Sequence, residues 1–285
     1  MSAKELSERY SIVTVASGVK SLRSLEHRET FHPVVGPMAE ARGLHVAQSQ
    51  LVERAGECRG PLVVWDVGLG AAANALAVIE AFASTEAQRV ELHSFDHSLD
   101  PLAFACAHAQ ELGYIAPHAG LLAELLRSCR ADAGAVQWWL HPGDFRELIT
   151  APPAPAPHAI LYDPYSPAAN PGMWTLEHFT RVRSALDPSR PCTLTSYSRS
   201  TSVRVTLGLA RFHVGRGSAT GDKDETTIAA THRNLLGDPL GADWLARVAR
   251  STRGAPLREG SAPGPITDTD LATLREMLVL PQPRT

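Results

Sequence analysis

Four aspartates follow short apolar runs of the sequence, at places where buried strands would end. Asp66 lies within the run Leu62–Val67, and Asp96, Asp144 and Asp163 come after later runs. In an open α/β sheet, ligands bind in the crevice outside the carboxyl ends of the strands. One such acid is most often a helix cap or a turn residue. Four acids at consecutive strand ends instead favour binding of a cofactor that carries a nucleoside.

The turn after the first of these strands is rich in glycine. In V-V-W-D-V-G-L-G-A-A-A-N-A-L a strand leads through Gly68 and Gly70 into a helix, and glycine lets the backbone approach a ligand under the positive end of that helix. The dinucleotide fingerprint would need glycine at Ala73, and taken alone the motif is only a tight turn. With Asp66 at the first strand and Asp96 at the second to receive ribose hydroxyls, the pattern favours S-adenosylmethionine over NAD, because a cofactor without a pyrophosphate needs less backbone contact.

The fourth strand ends at Asp163 and opens into the proline-rich loop D-P-Y-S-P-A-A-N-P-G-M-W. The segment D-P-Y is similar to the [DN]-P-P-Y loops of amino-group methyltransferases, one proline short. We predict that Asp163 accepts a hydrogen bond from the acceptor amine, in a dry site that orients the reacting groups. Tyr165, Met173 and Trp174 would form an apolar or stacking wall suited to a flat base. Taken alone, Trp174 is better explained as a core residue at the start of the next helix.

The elements that would position these residues alternate between strands and helices. The predicted strands are Ser11–Val15, Leu62–Val67, Val90–Phe95, Val136–Leu140, Ala159–Tyr162 and Cys192–Tyr197, with edge strands at Phe212–Val214 and Thr226–Ala230. The predicted helices are Met38–Leu51, Ala71–Ala83, Pro101–Leu112, Gly120–Cys129 and Trp174–Leu186. This alternation predicts an α/β fold with a doubly wound, mostly parallel sheet. Residues 252–266 read as a flexible linker, and a capping box from Thr267 to Asp270 begins a C-terminal helix.

The composition is that of an ordinary globular protein. The 285 residues carry a net charge of −3, with 44% hydrophobic and 20% charged residues. Thirteen Lys or Arg against six Asp or Glu between residues 181 and 258 give a weak indication of a basic face. The four cysteines and twelve histidines show no metal-ligand spacing, so no metal is expected. No signal peptide or membrane span is evident, and a cytoplasmic protein is expected.

At this point the chain resembles a known family: the methyltransferase half of the bacterial bifunctional tRNA 5-methylaminomethyl-2-thiouridine biosynthesis protein, and its stand-alone relatives. The strand-four signature of that family, D-G-F-x-P-x-K-N-P-x-M-W, aligns with the loop quoted above, and Pro164 and Ala169 replace its glycine and lysine. The cofactor turn G-x-G-T-G-x-N is matched by Gly68, Gly70 and Asn74, and Ala72 replaces its last glycine. The shared positions are Glu29, His32, Gly36, Glu40, Gly68, Gly70, Asn74, Asp163, Pro167, Asn170, Pro171, Met173, Trp174, Gly221, Lys223, Glu225 and Thr227.

The resemblance implies a Rossmann-like class I methyltransferase fold with S-adenosyl-L-methionine as the methyl donor. It implies that the acceptor is the primary amine of 5-aminomethyl(-2-thio)uridine at the wobble position of tRNA. We expect an N-terminal extension covering the active site (1–60), a methyltransferase domain (61–232) and C-terminal helices with a linker (233–285). The predicted catalytic residues are Asp163 and Tyr165. Cofactor binding is assigned to Asp66, Gly68, Gly70, Asn74, Asp96 and Asp144, and substrate binding to Glu29, His32, Pro167, Asn170, Met173, Trp174, Lys223 and Glu225.

Other functions are open on the sequence alone. A methyltransferase acting on a small-molecule amine is favoured by Ala169 and the acidic charge balance, whereas the intact N-P-x-M-W favours tRNA. A basic face formed by arginines such as Arg204 and Arg216 would also favour tRNA. A non-catalytic nucleoside- or RNA-binding module would be indicated by loss of a strand-end acid, and all of those acids are present. An NAD-dependent dehydrogenase is formally open, but the third glycine is missing.

Overall fold

The computed structural model describes residues 3–84, 89–221 and 224–279. The N-terminal part places a short helix and a small antiparallel meander, ordered β1-β2-β3, against the main body. Its elements are α1 (Ala3–Arg9), β1 (Tyr10–Thr14), β2 (Lys20–Ser24), β3 (Glu29–Thr30), α2 (Pro37–Glu40), a π-helix (Ala41–Ala47) and α3 (Leu51–Glu57).

Within the described ranges, the main body is an eight-stranded sheet with helices on both faces. Its strands are β4 (Leu62–Val67), β5 (Val90–Asp96), β6 (Arg130–Ala133), β7 (Val136–Pro142), β8 (Ala159–Tyr162), β9 (Thr193–Ser196), β10 (His213–Gly217) and β11 (Thr226–Ala230). They lie in the order β10-β11-β9-β8-β4-β5-β7-β6. The helices are α4 (Ala73–Ala81), α5 (Asp100–Ala107), α6 (Ala109–Leu112), α7 (Ala119–Ser128), α8 (Phe145–Leu148), α9 (Leu176–Ser184), α10 (Thr201–Leu209), α11 (Ala242–Val248) and α12 (Asp268–Val279).

Strand β4 is buried along its whole length in the middle of the sheet. Alternate side chains of a strand point to opposite faces. Val64 therefore packs into the core that contains α4 and α5, whereas Val63 and Trp65 pack into the core that contains α9 and α10. Burial on both faces explains why this strand reads as a continuous apolar run.

The winding of the chain reverses at β4. This strand pairs in parallel with β5 on one side and with β8 on the other, and the sheet continues in parallel to β7 and to β9. Ligand crevices in such sheets lie at the switch point, outside the carboxyl ends of the strands. The fold therefore brings the turn after β4 beside the loop after β8.

The predicted doubly wound, mostly parallel sheet is confirmed, because β4, β5, β7, β8 and β9 run parallel. The predicted edge strands form the antiparallel hairpin of β10 and β11. Strand β6 was not predicted. It pairs with β7 across a tight turn at Gly134, which has φ +62°.

The predicted helix Met38–Leu51 differs most from the structure. It begins at Pro37, continues as the π-helix, and is separated from α3 by Gln50, which has the left-handed φ of +52°. Residues 252–266 have no regular structure, but they are bonded to the body, since the Leu257 N–H donates to Thr206 Oγ1 at 2.8 Å. The predicted C-terminal helix is present as α12.

Candidate active site

A cavity of about 640 Å³ opens at the switch point between β4 and β8, a volume typical of small-molecule sites. The turn after β4, the ends of β5 and β7 and the loop after β8 form one side. Residues of the N-terminal part between positions 9 and 40 form the other side. Predicted site residues that line this cavity are Glu29, His32, Gly68, Gly70, Asn74, Asp96, Asp144, Asp163, Tyr165, Asn170 and Met173.

The turn after β4 has a backbone conformation that favours glycine. Gly68 has φ +91° and Gly70 has φ +52°, in the region where a side chain is strained. A Cβ atom on Gly68 would lie 2.7 Å from the carbonyl oxygen of Asp163. Ala72, which replaces a glycine of the family motif, has φ +63° and adopts this region at a cost of about 1–2 kcal/mol. The glycine at position 68 thus lets the two loops at the switch point meet backbone to backbone.

Asp96 ends β5 and organises the turn beside it. Its carboxylate accepts hydrogen bonds from the backbone N–H groups of Gly70 at 2.9 Å and Ser98 at 3.1 Å. His97 Nδ1 lies 3.4 Å from Asp96 Oδ1, and its hydrogen bond to this carboxylate raises the pKa of His97. Asp96 therefore stands where the second strand delivers a carboxylate to the cavity.

Asp144 lies in the turn after β7 and caps the N-terminus of α8. Its carboxylate accepts a hydrogen bond from the Arg146 backbone N–H at 2.9 Å and from the Arg146 guanidinium at 3.0 Å. Bonding to this guanidinium holds the pKa of Asp144 below its usual value. Asp144 is thus a helix cap and also lines the cavity.

Asp163 lies at the floor of the cavity, at the end of β8. The side-chain amide of Asn74 donates a hydrogen bond to Asp163 Oδ2 at 2.9 Å. The Nε2 atoms of His32 and His45 lie 3.8 Å and 4.0 Å from the same oxygen. The predicted acceptor-binding carboxylate is therefore surrounded by nitrogen atoms from three separate elements.

Tyr165 forms an aromatic wall together with the N-terminal part. Its ring centroid lies 4.1 Å from that of His27 and 5.6 Å from that of Phe31. Burial raises the pKa of the Tyr165 phenol, so the ring stays un-ionised at neutral pH. This geometry suits a stacking surface better than a base.

Glu29 and His32 reach the cavity from the N-terminal part, as the resemblance implied. The Glu29 carboxylate accepts hydrogen bonds from the Ser166 backbone N–H at 3.1 Å and from the Ser166 hydroxyl. His32 has φ +48°, and its Nδ1 lies 4.0 Å from Glu40 Oε2. Glu29 thus fixes the loop after β8, while His32 bridges towards Asp163.

Two predicted site residues lie beneath the cavity and do not line it. Asp66 lies within β4 and is fully buried, where it accepts a hydrogen bond from the Ser94 hydroxyl at 2.7 Å. Burial raises the pKa of Asp66 to about 7. Trp174 is also fully buried and donates its indole N–H to the Tyr165 carbonyl at 2.9 Å. Both residues lie in the core beneath the site, Asp66 on β4 and Trp174 at the end of a short 3-10 helix (Pro171–Trp174).

Two further residues that were predicted to bind substrate, Pro167 and Glu225, are not among those that line the cavity. Glu225 forms ion pairs with Arg204 at 2.7 Å and Arg216 at 3.2 Å, so it organises the strands at the edge of the sheet. Lys223 lies outside the described residues. Arg204 is only 3% exposed, and it therefore cannot contribute to the basic face that the sequence suggested.

Sequence reasoning missed several residues of the cavity. Tyr197 follows β9 and donates its hydroxyl to the Pro164 carbonyl at 3.0 Å; the strand-end rule that selected the aspartates would also have found it. Tyr10 and Arg23 line the cavity from the N-terminal meander. Their positions depend on the docking of that meander, which only the family resemblance indicated.

The cavity suits the predicted cofactor. Asn74 Oδ1 is buried and has no hydrogen-bond partner within the described part of the chain, and an unmet buried acceptor costs about 1–3 kcal/mol. A ligand N–H group would satisfy it. The turn at Gly68 and Gly70 and the carboxylate of Asp96 would hold the rest of a nucleoside-bearing molecule.

Among residues 3–84, 89–221 and 224–279, no group of three or more His, Cys, Asp or Glu side chains is arranged to hold a metal ion. No helix in these ranges has the length and apolar character needed to cross a bilayer.

Comparison with known proteins agrees with this geometry. Residues 117–232 match a family described as S-adenosyl-L-methionine-dependent methyltransferase. The chain is 29% identical over 247 residues to the tRNA 5-methylaminomethyl-2-thiouridine biosynthesis bifunctional protein MnmC of Methylibium petroleiphilum, covering 83% of this chain and 37% of that protein. It is 30% identical over 253 residues to the MnmC of Ectopseudomonas mendocina, covering 82% of this chain and 37% of the relative. The chain thus spans a little over a third of the length of these relatives.

A solved structure shares the fold. The crystal structure of MNMC2 from Aquifex aeolicus matches with a TM-score of 0.69 and 23% sequence identity, covering 95% of this chain and 84% of that chain. This structure confirms the fold prediction, and the MnmC relatives confirm the predicted resemblance. The family match confirms the assignments of a methyltransferase and of S-adenosylmethionine as its cofactor.

Proposed function

We propose that this chain, an S-adenosylmethionine-dependent methyltransferase, methylates the primary amine of 5-aminomethyl(-2-thio)uridine at the wobble position of tRNA. The observation that carries the proposal is the loop from Asp163 to Trp174, which has the strand-four signature and begins at the cavity floor beside the turn at Gly68. The relatives named for tRNA 5-methylaminomethyl-2-thiouridine biosynthesis support this acceptor.

The chemistry requires an amine with a free lone pair. When bound, S-adenosylmethionine supplies an electrophilic methyl group, so the protein has to bind, orient and deprotonate the acceptor. A primary alkyl amine is mostly protonated to an ammonium ion near neutral pH. Asp163 Oδ2 would bind the N–H of the amine, and His32 Nε2, 3.8 Å from that oxygen, would take up the proton.

The base that carries the amine would lie against the aromatic wall. Tyr165 would contribute an un-ionised ring to this wall, beside His27 and Phe31, whose ring centroids lie 4.1 Å and 5.6 Å from its own. Stacking on such a ring contributes about 1–3 kcal/mol per base and is tolerant of base identity. Selection of the acceptor would then come from Asp163, which recognises the amine.

A small-molecule amine is the second candidate acceptor. It is favoured by Ala169, which replaces the signature lysine, and by the burial and ion pairing of Arg204. Arg216 is likewise paired with Glu225 and Asp238. These pairings leave less positive charge for phosphate groups, whose neutralisation supplies much of the affinity for nucleic acids.

The test uses purified protein, methyl-labelled S-adenosylmethionine and tRNA from cells that lack the wobble methyltransferase, followed by nucleoside mass analysis. The expected product is labelled 5-methylaminomethyl(-2-thio)uridine. Labelled cofactor that binds without transfer to RNA would refute the tRNA acceptor and direct the search to small amines. A protein that does not bind the cofactor would contradict the whole assignment.

A further inference from the structure

A buried histidine that the sequence analysis did not select lies behind the cavity floor. The His45 side chain is fully buried in the π-helix. Its Nδ1 is 2.8 Å from Thr195 Oγ1. Its Nε2 lies 4.0 Å from Asp163 Oδ2 and has no hydrogen-bond partner within the described residues. A buried nitrogen without a hydrogen-bond partner is costly, so its presence at this position needs an explanation.

The π-helix explains how His45 reaches Asp163. Residues three or four apart share a face of an α-helix, whereas residues five apart do not. The π-helix forms bonds five residues apart, as from the Gln48 N–H to the Gly43 carbonyl at 3.3 Å. The π-helix begins directly after Glu40, whose carboxylate lies 4.0 Å from His32, and it carries His45 to within 4.0 Å of Asp163. Single π-turns are frequently found at functional sites.

The surroundings of His45 indicate which ring nitrogen carries the proton. Burial lowers the pKa of His45 to about 3, so the ring is neutral with one donor and one acceptor. The carboxylate near Nε2 attracts a donor at that atom. Nδ1 then accepts a hydrogen bond from the Thr195 hydroxyl, which fixes the tautomer.

We propose that His45 is a positioning residue whose Nε2–H faces Asp163 and orients its carboxylate towards the acceptor amine. The proposal rests on the proposed function only in assigning the amine to Asp163. A separation of 4.0 Å is too long for a hydrogen bond, but an N–H dipole at this distance already stabilises the ionised carboxylate electrostatically. Catalytic hydrogen bonds also often tighten when substrate is bound. The Asn74 amide holds Asp163 Oδ2 from one side, and His45 approaches it from another.

Two substitutions separate the two ring nitrogens. His45→Gln keeps an amide donor near the position of Nε2, whereas His45→Asn keeps a polar group near Nδ1 and removes the donor to Asp163. We expect kcat to fall about 10- to 100-fold in His45→Asn, the effect of a misplaced catalytic group, with cofactor Kd unchanged. His45→Gln should recover most of this loss. Equal losses in both variants, or none in either, would overturn the proposal.

A pH profile provides a readout that a packing role would not move. Asp163 is faced by Asn74 from α4, His32 from the loop after β3, Tyr197 after β9 and Asp66 in β4. These groups are the same in both variants. Loss of the His45 donor should therefore shift the acidic limb of kcat/KM to higher pH in His45→Asn but not in His45→Gln. Superimposable profiles would contradict the proposed contact.

The test is also independent of the acceptor. The ¹³C shift of the Asp163 carboxyl group, followed with pH in cofactor-bound protein, should change in His45→Asn and not in His45→Gln. This measurement fails only if the His45 contact is wrong, whereas the tRNA assay fails if the acceptor is wrong. If both variants unfold, Thr195→Val replaces them, because it removes only the hydroxyl bonded to His45 Nδ1. This variant should shift the Asp163 titration in the same direction by a smaller amount, and an unchanged titration would refute the proposal.

Discussion

Replacing Gly68 by alanine tests whether the two loops of the site depend on their close contact. The added Cβ would lie 2.7 Å from the carbonyl oxygen of Asp163 and 2.9 Å from the nitrogen of Pro164. Both neighbours are backbone atoms, so neither can rotate away. The loop that carries Asp163 would have to move away from the turn after β4.

The expected loss of stability has two parts. Alanine at φ +91° costs about 1–2 kcal/mol in backbone strain. Forcing a methyl group into a packed site costs about 1–3 kcal/mol more. The free energy of unfolding should therefore fall by about 2–5 kcal/mol, which a domain of typical stability survives. Displacement of Asp163 should lower kcat more than it weakens cofactor binding.

Gly18→Ala is the matched control. Gly18 has φ +84°, and a Cβ there would meet no atom within 4 Å. The two variants share the backbone strain and the change in the unfolded chain, so their difference isolates the contact with the acceptor loop. Denaturant unfolding and single-turnover methylation would be measured on both. If Gly68→Ala loses no more stability and no more activity than Gly18→Ala, the backbone contact has no role.

Three further predictions concern single groups of the site and core. Asp163→Asn should abolish methyl transfer while calorimetry shows cofactor Kd within about twofold, since the substitution keeps the shape and removes the charge; retained turnover would refute its role. Asp96→Ala should weaken cofactor binding by about 1–3 kcal/mol, the cost of unmet hydroxyl partners, and unchanged Kd would exclude a ribose contact. Burial lowers the pKa of His93 and of His178 from 6.5 to about 4, so their contribution to stability is complete above pH 6.5 and is lost as pH falls towards 4. Each of these histidines should lower the free energy of unfolding by about 1.4 kcal/mol for every pH unit of acidification in that window. Asp66 opposes this effect, because its raised pKa favours the folded state at lower pH. A denaturation midpoint that stays constant between pH 6.5 and 4.5 would contradict the prediction.

The parts of the site that the sequence predicted are those that local pattern determines. A buried parallel strand is an apolar run, and its carboxyl end is marked by a turn. Asp96, Asp144 and Asp163 were found for this reason, and all three line the cavity. Asp66 was misplaced because it lies inside its strand, where the two-residue alternation turns its side chain into the core.

The parts that could not be predicted depend on contacts between distant segments. His45 lies 150 residues from Thr195 and meets it only in the folded chain. The π-turn that directs His45 inward has no signature in a single sequence. The N-terminal meander likewise lines the cavity through tertiary packing. An N-terminal covering was expected from the family resemblance alone, because the short strands of mixed polarity carry no pattern that predicts it.

The cavity floor at Asp163 is held by contacts from separate parts of the chain. The Glu29 carboxylate of the N-terminal meander holds the backbone N–H of Ser166, and Gly68 of the main sheet contacts the backbone of Asp163. These two contacts restrain the loop after β8 from both sides, because a loop held at one point alone could pivot about that point. Asn74 and Tyr197 of the main body also hold Asp163 and Pro164, so the meander adds a further restraint on this loop at Ser166. We therefore expect the docking of the N-terminal part to influence the orientation of Asp163 without supplying the carboxylate itself.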